Sequence, residues 1–246
     1  MSGAGLTYTR FELLRTVRNR RFFILSLLFP VVLYFLIAGP NHDVKDFANT
    51  GISAPLYYMV GLISFGTMSA ILSSGARIAT ERSAGWNRQL RITPLSPRAY
   101  FRAKVVTAYL VAGLTIVALY ICGATLGVSL PVGRWLAMTG LILVGLIPFA
   151  ALGIAMGHVL TADSVGPALG GGVGLLAFVG GTWFPITGGF LHVVAQAVPS
   201  YWLVQASHVA LGGSAWGVTG WLVMTGWTVV LGALAILAYQ RDTKRV

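Results

Sequence analysis

GPALGGGVGLLAFVGGTWFPITGGFLHVVAQAVPSYWLVQASHVALGG, residues 166–213, sets how many times this chain can cross a membrane. It contains no Asp, Glu, Lys or Arg, so it suits an apolar medium along its whole length. A helix crossing the hydrocarbon core of a bilayer needs roughly 20 apolar residues at about 1.5 Å each, and this stretch is too long for one crossing. Pro185 and Pro199 interrupt it, because proline lacks the N–H that an inner helical turn requires. Residues 166–184 are long enough to cross. The roughly 13 residues between the prolines would reach only about 20 Å as helix, short of the roughly 30 Å core, and residues 200–213 are equally short. Two short arms around a proline turn predict a re-entrant helical hairpin over 185–213 that enters the membrane and returns.

Five further stretches, 22–39, 54–76, 105–130, 135–157 and 216–239, are each long and apolar enough to cross, and none holds a charged residue. Composition agrees: the 246 residues are 56% hydrophobic and 9% charged, with a mean hydropathy of +0.79, whereas a soluble domain carries roughly 25% charged residues. The predicted fold class is therefore all-α: a polytopic membrane protein with six transmembrane helices, one membrane domain over 1–246, and the hairpin between spans five and six. The one cysteine, Cys122, lies inside an apolar run, which excludes an internal disulfide and a zinc cluster. No cleavable signal peptide is expected, since no small-residue cleavage site follows the first apolar run.

Charge orients the spans. Arg10, Arg15, Arg18, Arg20 and Arg21 precede the first. Arg77, Arg82, Arg88, Arg91, Arg98, Arg102 and Lys104 follow the second, and Arg241, Lys244 and Arg245 follow the last. The opposite side holds only Lys45 and Arg134, with Asp43 and Asp46. Basic residues stay in the cytoplasm, which places both termini and the second loop inside a bacterial inner membrane and requires an even number of crossings. The net charge of +11 is spread in short flanking blocks rather than over one surface, so no nucleic-acid partner is expected.

Three segments have further character. Within residues 1–21, Leu6, Leu13, Leu14 and Val17 form an apolar stripe, interrupted by Arg10, that suits a helix lying on the inner leaflet; a plain basic flank of the first span is the alternative. In the 80–97 loop, TERSAGWNRQLRITPLSP, Trp86 and Leu90 stand one turn apart and Pro94 ends the helical segment. Gly166, Gly170 and Gly174 recur every fourth residue, a spacing that permits close helix approach.

Chemistry is thin. No phosphate-cradling Gly-x-x-x-x-Gly-Lys-Ser/Thr loop, Gly-x-Ser-x-Gly elbow or His-Glu-x-x-His pair occurs. Adjacent Ser207 and His208 point apart on a helix and make no nucleophile–base pair, and His192 suits local packing or a pathway lining. No carboxylate lies within a span, which disfavours an ion-coupled carrier. No catalytic residue, metal site or cofactor is expected in this chain.

With Glu81-Arg82-x-x-Gly85 after the second span, Pro94-Leu95-Ser96 beyond it, Gly181-Thr182-Trp183-Phe184-Pro185 at the fifth-span exit, and Val198-Pro199 before Tyr201-Trp202, the chain resembles the permease subunits of the bacterial ABC type-2 exporters, over nearly its whole length. The resemblance implies a permease dimer, homodimeric or heterodimeric, docked on separate ABC ATPase subunits that hold ATP and Mg. The loop helix with Glu81, Arg82, Gly85, Trp86, Arg88 and Leu90 would couple to the ATPase, and the N-terminal helix would be a second contact. The hairpin with Phe184, Pro185, Pro199, Tyr201 and Trp202 would form an external gate, since uncharged aromatic constrictions close pathways by excluding water. The function so implied is efflux of a hydrophobic or amphipathic small-molecule substrate of drug or antibiotic type, as in antibiotic resistance. Export of a lipid or polysaccharide precursor, a lipid-modifying membrane enzyme and a scaffold are the alternatives.

Overall fold

The computed structural model describes residues 3–86, 89, 92, 93, 95–212 and 215–244. Among the described residues every regular element is helical. In chain order they are α1 (Gly3–Arg18), α2 (Arg20–Ala38), α3 (Ala54–Ser83), α4 (Pro97–Thr125), α5 (Val132–Gly145), α6 (Ile147–Val159), α7 (Ala162–Val179), α8 (Gly189–Gln196), α9 (Pro199–Gln205) and α10 (Gly217–Lys244), with 3-10 turns at Phe47–Asn49 and Ala206–Leu211. Five stretches are long and apolar enough to cross a membrane: α3, α4, α5 with α6, α7, and Gly217–Asp242 of α10; Leu27–Ala38 in α2 is a shorter apolar helix.

α3 is the axis. In its apolar window 83% of residues are buried, against 17% for α7 and 11% for α10. It packs on α2, α4, α6, α7 and α9, while α10 leans on α6 at the periphery. Glycine sets the closest crossing. A Cβ on Gly75 would fall 2.7 Å from the Gly153 Cα, and one on Gly157 would fall 2.7 Å from the Ile78 Cβ, so α3 and α6 meet backbone to backbone. By contrast, Gly166, Gly170 and Gly174 on α7 face open space within the chain.

Several boundaries differ from those read in the sequence, each for a local reason. α3 runs seven residues past 76, to Ser83, because a helix keeps its backbone bonds on leaving an apolar medium. Its roughly 45 Å length exceeds the roughly 30 Å core. α4 begins at Pro97, where the Ser96 hydroxyl accepts from the Ala99 N–H at 3.3 Å and Pro97 suits the first turn. The 135–157 stretch is two helices bent at Leu146, because Pro148 has no N–H to give its preceding turn. α7 stops at Val179 rather than 184, at a turn through Gly181 with φ +76°.

The segment beyond α7 is broken as its prolines imply. α8 and α9 have eight and seven residues, about 12 and 10 Å. Broken helices leave carbonyls without partners, and tryptophan indoles supply them here. Trp202 donates to the Gln196 carbonyl at 2.9 Å, Trp216 to Trp202 at 2.7 Å and Trp227 to Ala197 at 2.7 Å. Arg134 donates to the Ala210 carbonyl at 2.6 Å, closing the 3-10 turn.

Candidate functional site

The end of the bundle where α3 finishes and α4 begins concentrates the charge. Lys104, in the second turn of α4, is 1% exposed. Its ammonium donates to Glu12 Oε1 of α1 at 2.6 Å and to Glu81 Oε1 of α3 at 2.5 Å. The Tyr100 hydroxyl, one turn earlier on α4, donates to Glu81 Oε2 at 2.6 Å. Arg15 reaches Glu81 Oε1 at 3.1 Å from the solvent side, and Arg77 donates to the Thr16 hydroxyl at 3.4 Å. One cation thus binds two carboxylates from two other helices, and each carboxylate has a second partner. Removing one member of such a buried set strands the others, a cost of about 3–5 kcal/mol. Burial beside Glu12 and Glu81 raises the Tyr8 phenol above its ordinary range, so it stays neutral.

α1 turns its polar side toward this junction. Glu12 and Thr16 are buried, whereas Leu6, Phe11, Leu14 and Val17 are exposed on the opposite side. Such an arrangement is inverted for a helix in water and suits one whose outer face meets an apolar phase.

A second ionic contact lies alongside. Arg82 donates to the carbonyls of Gly157 at 3.1 Å and His158 at 2.8 Å, covering the C-terminal end of α6. It also pairs with Asp242 of α10 at 2.7 Å, and Asp242 accepts from His158 Nδ1 at 2.9 Å. Four helical segments, α3, α4, α6 and α10, are therefore fastened to one another or to α1 by charge at this end.

The residues read as one loop helix do not share one. Glu81 and Arg82 belong to the last turns of α3 and point into the two ionic contacts. Gly85, at φ +71°, turns the chain out of α3, and Trp86 follows it, 38% exposed. Arg88 and Leu90 lie outside the described residues. Glu81 takes Lys104, Tyr100 and Arg15 as partners and is buried. The sequence reading passed over Glu12, Tyr100, Lys104, His158 and Asp242. One signal could have found the acids: of six in the chain, Glu12, Glu81 and Asp242 stand among the densest basic blocks.

At the opposite end, Tyr201 and Trp202 are each 6% exposed and Pro199 is buried, so these three hold α9 to the bundle. Phe184 is exposed, edge-on to Phe178 of α7 at 5.1 Å, and Pro185 is half-buried beside it. Trp183 meets Phe65 of α3 at 5.6 Å, and the Tyr57 hydroxyl of α3 donates to the Gly181 carbonyl. His192 is packed locally, with Nδ1 on the Ile186 carbonyl and Nε2 on Gln196. Ser207 donates to the Val204 carbonyl at 2.8 Å.

Apolar helices of crossing length, fastened by buried charge at one end and by uncharged aromatic contacts at the other, define a multi-pass membrane protein. Residues 40–237 match the family described as ABC-2 family transporter protein. A Bacillus subtilis (strain 168) protein described as transport permease YvfS is 32% identical over 199 residues, covering 77% of this chain and 78% of that protein. The chain belongs to the ABC-2 transporter family, as a transporter membrane subunit.

Proposed function

We propose that this chain is the pathway-forming membrane half of an ATP-driven exporter. Its cargo would be a hydrophobic or amphipathic small molecule of drug or antibiotic type, moved out of a bacterial cell. ATP and Mg would be held by a separate ATPase. In this reading α2, α3, α4, α5–α6, α7 and α10 cross in alternation, giving six spans with both termini cytoplasmic, and 185–213 re-enters from the outer side. A second copy, or a different permease, would cover the open α7 face of Gly166, Gly170, Gly174 and Phe178. Phe184, edge-on to Phe178, would then narrow the exit between the two chains.

The observation supporting this division of labour is the position of Glu81 and Arg82. They sit at the end of the most buried helix, immediately before Gly85 and the exposed Trp86. A partner gripping the loop beyond Gly85 would act on α3 directly, and through the Lys104 junction on α1 and α4. Co-purification with the ATPase and reconstitution into vesicles tests the reading. Glu81→Gln should lower cargo-stimulated ATP turnover severalfold while the subunits remain assembled. Normal coupling in that variant would remove the junction from the mechanism. Vanadate-sensitive turnover by the purified chain alone would refute the two-subunit scheme.

A further inference from the structure

The ionic junction has an outer side, where Arg15 pairs with Glu81 at 3.1 Å and is 59% exposed. Between α1 and the last turns of α3 lies a groove of about 680 Å³, within the range of small-ligand sites. Arg15, Arg18 and Arg77 line it together with Asn19, and no acidic residue does. The two carboxylates behind it, Glu12 and Glu81, are already bound by Lys104 at 2.6 and 2.5 Å. Counting Lys104, four cations face two carboxylates, so the groove carries an excess of positive charge. Thr80 lines it too, and Phe11 and Leu14 form its apolar wall; both belong to the exposed apolar side of α1 with Leu6 and Val17.

A ligand for this groove must therefore join an anionic head to an apolar body. Guanidinium forks match phosphate oxygens in two-point contacts, and basic clusters beside a membrane-surface helix attract anionic lipid. We propose that the groove binds the phosphate headgroup of an anionic phospholipid, whose acyl chains run along Phe11 and Leu14 into the leaflet on the basic side. An acidic protein surface would answer the arginines alone and leave the apolar wall uncovered. The inference rests on α1 lying at that membrane surface, and on no particular cargo or ATPase.

Native mass spectrometry of the full chain in neutral detergent, titrated with dioleoyl phosphatidylglycerol or dioleoyl phosphatidylcholine, tests it. The phosphatidylglycerol adduct should persist at activation energies that strip phosphatidylcholine. Arg18→Gln, at an exposed position, should weaken phosphatidylglycerol binding roughly fivefold, and Arg18→Gln with Arg77→Gln roughly twentyfold or more. Phosphatidylcholine binding should be unchanged. Equal retention of the two lipids, or an Arg18→Gln chain that holds phosphatidylglycerol like the parent, overturns the proposal. Displacement of the lipid by equimolar inorganic phosphate or glycerol 1-phosphate would assign the groove to a soluble anion instead. Release of a co-purifying protein by Arg18→Gln, with lipid binding intact, would assign it to a protein partner. A spin label at Leu6→Cys in a Cys122→Ser chain checks the premise separately: relaxation by oxygen rather than by aqueous nickel keeps α1 at the membrane even if headgroup selectivity is absent.

Discussion

At the basic end, Lys104 lies 1% exposed between carboxylates from two other helices; at the opposite end, the donors are tryptophan indoles aimed at backbone carbonyls. Both arrangements satisfy polar groups that an apolar setting would penalise, and they differ in what a lesion leaves behind. A missing indole leaves one neutral carbonyl without that donor. A missing ammonium leaves two facing negative charges. The charged end should therefore respond to substitution far more sharply, and the two ends can be compared by thermal unfolding of detergent-solubilised variants.

Lys104→Met should show the largest effect, a loss of about 3–5 kcal/mol. The triple variant Glu12→Gln, Glu81→Gln, Lys104→Met should recover most of it, because no charge is then stranded. A single variant that unfolds like the parent would break the comparison outright. Next comes Gly75→Leu, which drives a side chain into the α6 backbone and should cost about 1–3 kcal/mol or more; this tests the middle of the bundle, where neither chemistry operates. Trp216→Phe keeps an aromatic ring but removes the buried N–H from the Trp202 carbonyl and part of the indole's packing, for about 1–3 kcal/mol. Asp242→Asn should cost about 1 kcal/mol or less, since the Arg82 side chain is 29% exposed and retains its α6 carbonyls. Phe184→Ala should be smallest, within about 0.5 kcal/mol for an exposed side chain. Any larger consequence should appear in basal ATP turnover of an assembled transporter rather than in unfolding.

Crossing-length helices and the broken stretch after α7 were legible in the sequence because they depend on local composition and on proline. Residues 185–213 are short-helical for the reason Pro199 gives. The junction was not legible, because its partners are 23 and 92 residues apart along the chain and no periodicity connects them. Lys104 also looked like one more loop cation, being the last before an uncharged run. In three dimensions the helix begins at Pro97 and carries Lys104 inside. Glycine shows the same limit: the regular spacing at Gly166, Gly170 and Gly174 is local and visible in the sequence, whereas the contact of Gly75 with Gly153 and Gly157 joins distant helices. Tyr201 and Trp202 illustrate a different limit. Their aromatic character at a break is visible in the sequence, but which side they face depends on the packing of α9 against α3.

The Gly75 crossing also divides α3 unequally. Tyr57, which holds the Gly181 turn, lies 18 residues to one side, about 27 Å, and Glu81 lies six residues to the other, about 9 Å. A backbone contact without intervening side chains is the stiffest point along the helix and a natural fulcrum. Tilting of a rigid α3 about it has a mechanical ratio of about three to one: a sideways displacement of roughly 1 Å at Glu81 becomes roughly 3 Å at Tyr57. The short arm is tied by charge contacts, and the long arm by apolar packing, the Tyr57 hydroxyl on Gly181 and the Tyr34 hydroxyl on Pro55. Small movements at the Glu81 surface would thus arrive at the Tyr57 end enlarged.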